Sequence, residues 1–248
     1  MFRLDVGRNL VGRDFVCGDL HGCYGLLMNS LEDKKFDFGK DRLFCTGDLI
    51  DRGPDSPKCV GLLNEPWFFS VQGNHERMFF SYILDQRSLT HRSNDFIIND
   101  GVWVFDLSVD RLREFAFLMQ EKMPISITVG DSIDGFTVTH SGHCLEDTDE
   151  SIDDAVWDRS ITDEVYSKEI KRGEFSSSDS VVMLGDFDEN EQITYVGHNI
   201  NKNRNIIVVD NTVMVDTGAF LFERDKTKPY SLTVIEHSEF LSKIRNLV

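Results

Sequence analysis

Three short apolar segments near the start of the chain each lead to a glycine that is followed at once by a polar residue. The segments are DFVC at 14–17, RLFCT at 42–46 and WFFSV at 67–71, and helical patterns separate them. Leucines recur at helical spacing over 26–31, and prolines mark a second helix start at 54–57. This β-α-β-α-β order predicts parallel strands in a sheet that is covered on both faces.

The rest of the chain has a helical part followed by a part that is mostly strands, so the fold class is α/β. Residues 76–123 form a largely helical pattern that Pro124 ends. A further helix is expected at 161–171, and the segments 144–158 and 173–180 are expected to be loops. The strand candidates are 125–129, 135–139, 181–184, 193–196, 206–209, 213–216 and 231–235. No convincing linker interrupts the chain, which predicts a single domain over 1–248.

The three strand ends of the first part carry clusters of polar residues. These clusters are GDLHG at 18–22, GDLIDRG at 47–53 and GNHE at 73–76. The carboxyl ends of parallel strands face one crevice, where ligands bind in such sheets. The clusters are therefore expected to converge in space. Two later strand ends add histidines in THSG at 139–142 and GHN at 197–199.

The residue types in these clusters are those that bind transition metals. Carboxylates, imidazoles and an amide oxygen form a mixed oxygen and nitrogen ligand set that suits Mn, Fe or Zn. An aspartate between two metals can bridge them and hold the pair about 3.5–4 Å apart. The sequence therefore predicts a binuclear metal site.

Composition narrows the classes of partner and compartment. The chain has 43 acidic and 26 basic residues among 248, a formal charge of −17, which disfavours a general nucleic-acid binder. No apolar run is long enough to span a membrane, and the N-terminus lacks the apolar core of a secretory signal. Five cysteines, an odd number without a Cys-x-x-Cys pair, are expected to be reduced thiols of a cytoplasmic protein.

The order GDLHG, GDLIDRG and GNHE resembles the signature of the calcineurin-like phosphoprotein phosphatases within the metallophosphoesterase superfamily. The closer resemblance is to the bacteriophage lambda-type serine/threonine phosphatases and their bacterial relatives, over residues from about 12 to about 235. It includes GVWVF at 101–105, VWDR at 156–159, VGH at 196–198 and VDTGA at 215–219. The fold implied is a β-sandwich of mixed sheets flanked by helices.

The resemblance also implies which residues bind the metals. Asp19 and His21 correspond to ligands of the first metal, and Asp48 corresponds to the bridge. The remaining ligands of the second metal would be Asn74, His140 and His198. Two divalent ions are implied, with manganese as the family expectation and iron or zinc fitting the same ligands.

The same resemblance implies the catalytic groups. His75 corresponds to the general acid that protonates the leaving oxygen, and Asp51 would orient it. Arg52 and Arg159 correspond to a phosphate clamp, with Asn74 as a further phosphate contact. The planar fork of arginine matches two phosphate oxygens at once, which gives this role a physical basis.

The function implied is hydrolysis of phosphoserine and phosphothreonine in proteins, with phosphotyrosine as a further substrate, by direct attack of metal-bound hydroxide. A phosphoprotein or phosphopeptide is the expected partner. The alternative is a dinucleoside tetraphosphate hydrolase or phosphodiesterase, because the tetraphosphate hydrolases share the first three motifs. A silent binding protein would lack a ligand or the acid, and every position is filled here.

Two positions have competing interpretations. His143 in HSGH competes with His140 for the same ligand position, and the strand-end location favours His140. The segment 160–195 is longer than in the lambda-type enzymes and contains Gly185-Asp186, which imitates a metal-site turn. This dipeptide is interpreted as part of an insertion or a solvated loop.

Overall fold

The structure is a computed structural model, and it describes residues 2–84, 92–142, 147–163, 165, 181–201, 205–228 and 230–247. Within these residues two β-sheets are flanked by helices. The strands are β1 (Arg3–Val6), β2 (Asp14–Cys17), β3 (Arg42–Cys45), β4 (Phe68–Ser70), β5 (Ser126–Val129), β6 (Phe136–Thr139), β7 (Val181–Leu184), β8 (Ile193–Val196), β9 (Ile206–Val209), β10 (Thr212–Met214) and β11 (Val234–Glu236). The α-helices are α1 (Tyr24–Asp33), α2 (Ser56–Gly61), α3 (Asn74–Leu84), α4 (Arg92–Ile98), α5 (Val109–Lys122), α6 (Asp149–Trp157), α7 (Ala219–Arg224) and α8 (His237–Arg245). Short 3₁₀ turns lie at Leu62–Asn64 and Gly101–Asp106.

The smaller sheet contains the first three predicted strands. Its order is β11-β2-β3-β4, in which β2, β3 and β4 are parallel and β11 runs antiparallel to β2. The predicted β-α-β-α-β start with parallel strands is therefore confirmed. The carboxyl ends of β2, β3 and β4 lie at one edge, as the polar clusters require.

The larger sheet is mixed and has the order β1-β5-β6-β8-β10-β9-β7. Strands β6, β8 and β10 are parallel neighbours at its centre, while β5–β6 and β10–β9 are antiparallel pairs. Parallel pairing brings the ends of β6 and β8 to the same edge, and these ends carry the two later histidines.

The core lies in layers on both faces of the smaller sheet. Phe15 and Cys17 of β2 face helices α1, α2 and α3, whereas Val16 between them faces the larger sheet. Phe136 and Tyr195 of the larger sheet lie in the same cluster as Val16. A strand that is buried on both faces has apolar residues at successive positions. This explains why DFVC shows no alternation of apolar and polar residues.

The segment 144–158 was expected to be a loop, and this prediction is wrong. Residues Asp149–Trp157 form helix α6, which begins after Thr148, whose hydroxyl accepts a hydrogen bond from the Ser151 amide. Acidic residues in its first turn interact favourably with the helix dipole, and Ile152, Ala155 and Val156 form a buried face. Its many aspartates belong to the solvated face of an amphipathic helix.

Other elements differ from the prediction in smaller ways. Strand β1 and helices α7 and α8 were not predicted, and the last strand is Val234–Glu236 rather than 231–235. Of the helix expected at 161–171, residues 161–163 and 165 are helical, and the others lie outside the described residues. The loop expected at 173–180 and His143 also lie outside them.

Two sequence expectations concern the membrane and the thiols. In the part of the chain that the structure describes, no helix is long and apolar enough to cross a membrane. The four described cysteines, Cys17, Cys23, Cys45 and Cys59, are free and buried. Cys144 lies outside the described residues.

Candidate metal centre

The polar clusters after β2, β3 and β4 converge with the histidines after β6 and β8. Two sets of potential ligand atoms result, each with its atoms within 4.8 Å of one another. The first set is His21, Asp48 and His75, and the second set is Asp48, His140 and His198. Asp48 belongs to both, so its carboxylate lies between two groups of imidazoles. This is the geometry of a carboxylate that can bridge two metal ions.

Lone pairs of His140, His198 and the neighbouring Asn74 converge at the second set. His140 Nδ1 lies 2.8 Å from the Thr46 carbonyl oxygen and can only donate to it, which leaves Nε2 with a lone pair. That Nε2 atom is 3.0 Å from Asn74 Oδ1 and 3.1 Å from His198 Nδ1. Asn74 Oδ1 is also 3.0 Å from His198 Nδ1. A divalent cation would satisfy all three atoms at once, because each can give a lone pair to it.

The first set is arranged around the other oxygen of Asp48. His21 donates from Nδ1 to the Ile50 carbonyl at 3.0 Å, so that its Nε2 carries a lone pair 3.5 Å from Asp48 Oδ2. His75 Nε2 is 3.9 Å from the same oxygen and has no hydrogen-bond partner among the described residues. His198 Nε2 is likewise buried without a partner there.

Asp19 lies beside the two sets but in neither. Its Oδ1 accepts a hydrogen bond from the Thr46 hydroxyl at 2.7 Å, and its Oδ2 accepts one from the His198 amide at 2.8 Å. His140 Nδ1 is 3.9 Å from Asp19 Oδ1. Two donors therefore hold the carboxylate beside the centre, and its place as a ligand stays a prediction.

His75 and Asp51 form a hydrogen-bonded pair. His75 Nδ1 lies 2.6 Å from Asp51 Oδ2, and both side chains are fully buried. A carboxylate only accepts, so Nδ1 donates and Nε2 faces the first set. The pair can hold the imidazole in one orientation, as a general acid or a metal ligand requires.

The two predicted clamp arginines are near different histidines of the centre. Arg52 Nη1 is 2.8 Å from His21 Nε2, and its guanidinium lies 4.7 Å over the ring of Phe220. No described carboxylate forms an ion pair with it, so its charge is available to an anion. Arg159 is exposed, and its charge contributes to lowering the pKa of His198.

Burial dominates the electrostatics of the centre. It raises the pKa of Asp19 well above its ordinary value, with further contributions from Asp216 and Asp48. Burial alone would also raise the pKa of Asp48, but the electrostatic attraction between its carboxylate and the imidazoles of His140, His75 and His21 lowers it. Burial lowers the pKa of His21 and His140 and lowers that of His198 to about 3. Burial thus favours the neutral form of His21, His140 and His198, which is the form that binds metals.

The backbone of the centre is held in uncommon conformations. Five of the eight described non-glycine residues with positive φ belong to the predicted site: His21, Asp48, Asp51, Arg52 and His198. Such conformations cluster at functional sites because the surrounding structure compensates their cost. Close approach also requires glycine, since a Cβ on Gly197 would overlap Asp19 Oδ1. The site is thus shaped by its backbone as well as by its side chains.

Comparison with known proteins gives the family. The family model described as calcineurin-like phosphoesterase matches residues 15–198. That range contains the three clusters and both later histidines. The chain belongs to the calcineurin-like phosphoesterases. Its fold of two mixed sheets and its β-α-β start are those that the sequence predicted for this family.

Individual relatives of this phosphoesterase carry more specific names. It is 34% identical over 172 residues to serine/threonine-protein phosphatase 1 of Salmonella typhimurium, which covers 66% of this chain and 74% of the relative. It is 42% identical over 64 residues to the symmetrical bis(5'-nucleosyl)-tetraphosphatase of Methylococcus capsulatus, over 25% of this chain and 23% of that protein. Its fold is similar to a cold-active protein-tyrosine phosphatase of a Shewanella species, with a TM-score of 0.52 and 16% identity over 94% of this chain and 77% of that one.

The phosphoesterase centre also contains residues to which the sequence assigned no role. Glu76 accepts hydrogen bonds from the amides of Leu49 and Gly73 at 2.8 Å and of Asp48 at 3.1 Å. It thereby joins the loops after β3 and β4. Burial, with a contribution from Asp48, raises its pKa to about 8. The sequence shows Glu76 in the motif GNHE, but it does not reveal the backbone amides that donate to this side chain.

Three further residues complete the surroundings of the centre. Trp103 donates from Nε1 to Asp51 Oδ1 at 2.6 Å. Asp216 is buried near Asp19, and burial raises its pKa to about 6. Phe220 packs edge-on against His21. Trp103 and Asp216 lie in the stretches GVWVF and VDTGA, so the resemblance marked their segments without giving these side chains a function.

The donor set fits divalent ions. Asp19, Asp48, Asp51, Glu76 and Asp216 are all buried carboxyl groups, and each interacts electrostatically with at least one of the others. Buried carboxylates are costly unless cations compensate them, and burial favours the neutral form of His21, His140 and His198. Divalent cations at the two ligand sets would supply that positive charge. The two sets are consistent with a binuclear centre of oxygen and nitrogen ligands.

Proposed function

We propose that this protein is a binuclear metal-dependent phosphomonoester hydrolase that removes phosphate from phosphoserine and phosphothreonine in proteins. The observation that carries the proposal is the carboxylate of Asp48, which lies between two groups of imidazoles. The choice of phosphoproteins is supported by the 172-residue similarity to a protein named serine/threonine-protein phosphatase 1. We further propose that residues 1–248 form one domain, because one apolar cluster contains residues of both sheets.

The metal ligands in this proposal are those predicted from the sequence. His21, Asp48 and Asp19 would hold one ion. The second ion would be held by Asp48 together with Asn74, His140 and His198. Divalent ions held there would supply Lewis-acid chemistry, lowering the pKa of water and neutralising phosphate charge. Mn is our first choice, and Fe or Zn would suit the same atoms.

His75 is assigned as the general acid. The serine or threonine alkoxide is a poor leaving group, so a proton delivered to its oxygen favours bond cleavage. Asp51 accepts from Nδ1 and so directs Nε2, the free ring nitrogen, towards the centre. An ionised carboxylate partner also favours the protonated imidazole. His75 is a member of the first ligand set too, and metal content in a His75 variant distinguishes the two roles.

Arg52 and Arg159 are assigned to the phosphate. Arg52 lies next to His21 Nε2, and its guanidinium packs on the ring of Phe220. The charge of Arg159 acts on His198, on the other ligand set. Guanidinium groups from two sides would bind the non-bridging oxygens of a phosphate, with Asn74 as a further contact. In a chain of net charge −17, these two arginines are local exceptions in charge.

Hydrolysis of dinucleoside tetraphosphates is the second candidate. It is favoured by the 42% identity over 64 residues to a protein named symmetrical bis(5'-nucleosyl)-tetraphosphatase. The metals and the acid would be the same, and only the leaving group would differ. The longer similarity to the protein phosphatase supports the first candidate more strongly.

The test uses protein stripped with EDTA and then assayed with and without added Mn²⁺. Its substrates are p-nitrophenyl phosphate, a phosphothreonine peptide, diadenosine tetraphosphate and bis-p-nitrophenyl phosphate. We expect Mn²⁺-dependent phosphate release from the first two. Turnover of diadenosine tetraphosphate or the diester alone would replace the protein-phosphatase proposal. Two bound metals with no turnover of any phosphoester would favour a silent binding protein.

A further inference from the structure

Trp103 is connected to the centre by a single short hydrogen bond. It lies in the 3₁₀ turn Gly101–Asp106, between α4 and α5, far from the three motifs in sequence. Its indole Nε1 is 2.6 Å from Asp51 Oδ1, while the other oxygen of that carboxylate lies 2.6 Å from His75 Nδ1. The described contacts thus form a chain from Trp103 through Asp51 to His75.

The chemistry of the indole fixes the direction of this chain. An indole N–H is a donor only, so Asp51 Oδ1 must accept from it. The carboxylate then presents Oδ2 as an acceptor to the imidazole. The indole and the imidazole are thus two donors that fix the plane of the carboxylate. The Asp51 backbone is also tied down, because its amide donates to Ser56 Oγ at 2.9 Å. Without the indole N–H, rotation of the carboxyl group would be opposed by the imidazole alone.

The position of the indole is itself fixed by packing. Its ring lies 5.5 Å from that of Phe79 and 6.4 Å from that of Phe115, on helices α3 and α5. Gly101 permits the close approach of the turn, since a Cβ there would lie 2.5 Å from the Phe96 ring. The donor is therefore held by a rigid aromatic cluster, as residues that orient other functional groups usually are.

We propose that Trp103 is a positioning residue that sets the orientation of the His75 imidazole through Asp51. This deepens the role of His75 and rests on the proposed phosphatase function, in which that ring protonates the leaving oxygen. Trp103 does not reach the reacting atoms itself. The proposal makes proton delivery, and not metal binding or phosphate binding, the step that depends on it.

The main variant is Trp103→Phe, which removes the N–H and keeps an aromatic ring in the cluster. The matched control is Trp67→Phe, because Trp67 is buried and its Nε1 donates to Glu65 instead, at 3.2 Å. With Mn²⁺, we expect kcat on a phosphothreonine peptide to fall by roughly tenfold or more in Trp103→Phe, with KM and metal content unchanged. With p-nitrophenyl phosphate, whose leaving group departs without protonation, we expect kcat to change less than about twofold.

A structural or metal-binding role would give a different pattern. It would lower kcat on both substrates equally, and that result would overturn the proposal. In a double-mutant cycle, Trp103→Phe should have no further effect in an Asp51→Asn background, whereas additive effects would contradict action through Asp51.

A measurement without turnover separates this inference from the proposed function. The Nδ1–H proton resonance of His75 is identified in NMR spectra by its loss in His75→Asn. We expect it to shift or broaden in Trp103→Phe and to stay in place in Trp67→Phe. An unchanged resonance in Trp103→Phe would overturn the inference whatever the substrate. The unmodified protein could instead show no phosphomonoester turnover while the resonance still changes in Trp103→Phe. That combination would overturn only the phosphatase function.

Discussion

The substitution Thr46→Val tests whether Asp19 is a metal ligand. Thr46 is fully buried, and its hydroxyl donates to Asp19 Oδ1 at 2.7 Å. Valine has nearly the same shape, so the change removes this donor and leaves the backbone contact from Thr46 to His140 intact. The His198 amide would be the remaining donor to the carboxylate. A ligand oriented by one donor in place of two should bind its ion more weakly.

The size of the effect follows from the charge on the acceptor. A hydrogen bond to a charged group contributes about 1.5–3 kcal/mol. Since about 1.4 kcal/mol corresponds to a tenfold change in affinity, full loss would weaken binding by about 10- to 150-fold. Removing outer partners of metal ligands typically weakens binding by about 10- to 100-fold, which agrees. We therefore expect Thr46→Val to bind Mn²⁺ about 10- to 100-fold more weakly.

The assay is calorimetric titration of EDTA-stripped protein with Mn²⁺ in the presence of a competing chelator. The control is Thr217→Val, which removes a buried hydroxyl that binds the Ser231 carbonyl at 2.8 Å and Thr233 Oγ1 at 2.7 Å. It should leave Mn²⁺ affinity unchanged. If Thr46→Val bound Mn²⁺ within about threefold of the unmodified protein, the reasoning that makes Asp19 an oriented ligand would be refuted. Equal weakening in both variants would indicate general destabilisation instead.

Three other substitutions test the acid, the bridge and the core. His75→Asn should keep its metal content and lower kcat on a phosphothreonine peptide by roughly 10²–10⁴-fold, because it removes the proton donor. Loss of metal instead, measured by elemental analysis, would make His75 a ligand. Asp48→Asn should retain fewer than two ions after dialysis, because a neutral amide bridges two cations poorly; two retained ions would contradict the bridge. Phe79→Ala, at a fully buried ring, should lower the free energy of unfolding by about 3–5 kcal/mol in urea. The exposed Phe117→Ala should change it by less than about 0.5 kcal/mol, and equal losses would contradict the described packing.

The part of the site that follows β2, β3 and β4 could be predicted from sequence because its determinants are local. Each of β2, β3 and β4 is a short apolar run that leads to a glycine and a polar cluster, and short helices connect them. Connections of that kind make neighbouring strands parallel, so their carboxyl ends meet at one edge. Asp48 and His75 could therefore be placed near each other before any coordinates were known.

The helix α6 shows where local reasoning failed. The acidic composition of the segment 144–158 suggested a loop, yet Ile152, Ala155 and Val156 form a buried face. Whether such a face is buried depends on what packs against it, and Arg77 of α3 forms ion pairs with Asp149 and Asp153. The acidic composition of this helix reflects its solvent-exposed face and does not reveal that the opposite face is buried.

Sequence by itself determined the family, the order of the first strands and the residue types of a metal centre, because these follow from short-range patterns. Tertiary structure decided which of those atoms share a ligand set, since the strand order of the larger sheet brings His140 and His198 to the first motifs. It left Asp19 beside the two sets, and it brought Trp103 to Asp51 across 52 positions of chain. Contacts between segments so far apart depend on how sheets and helices pack, which no local pattern encodes.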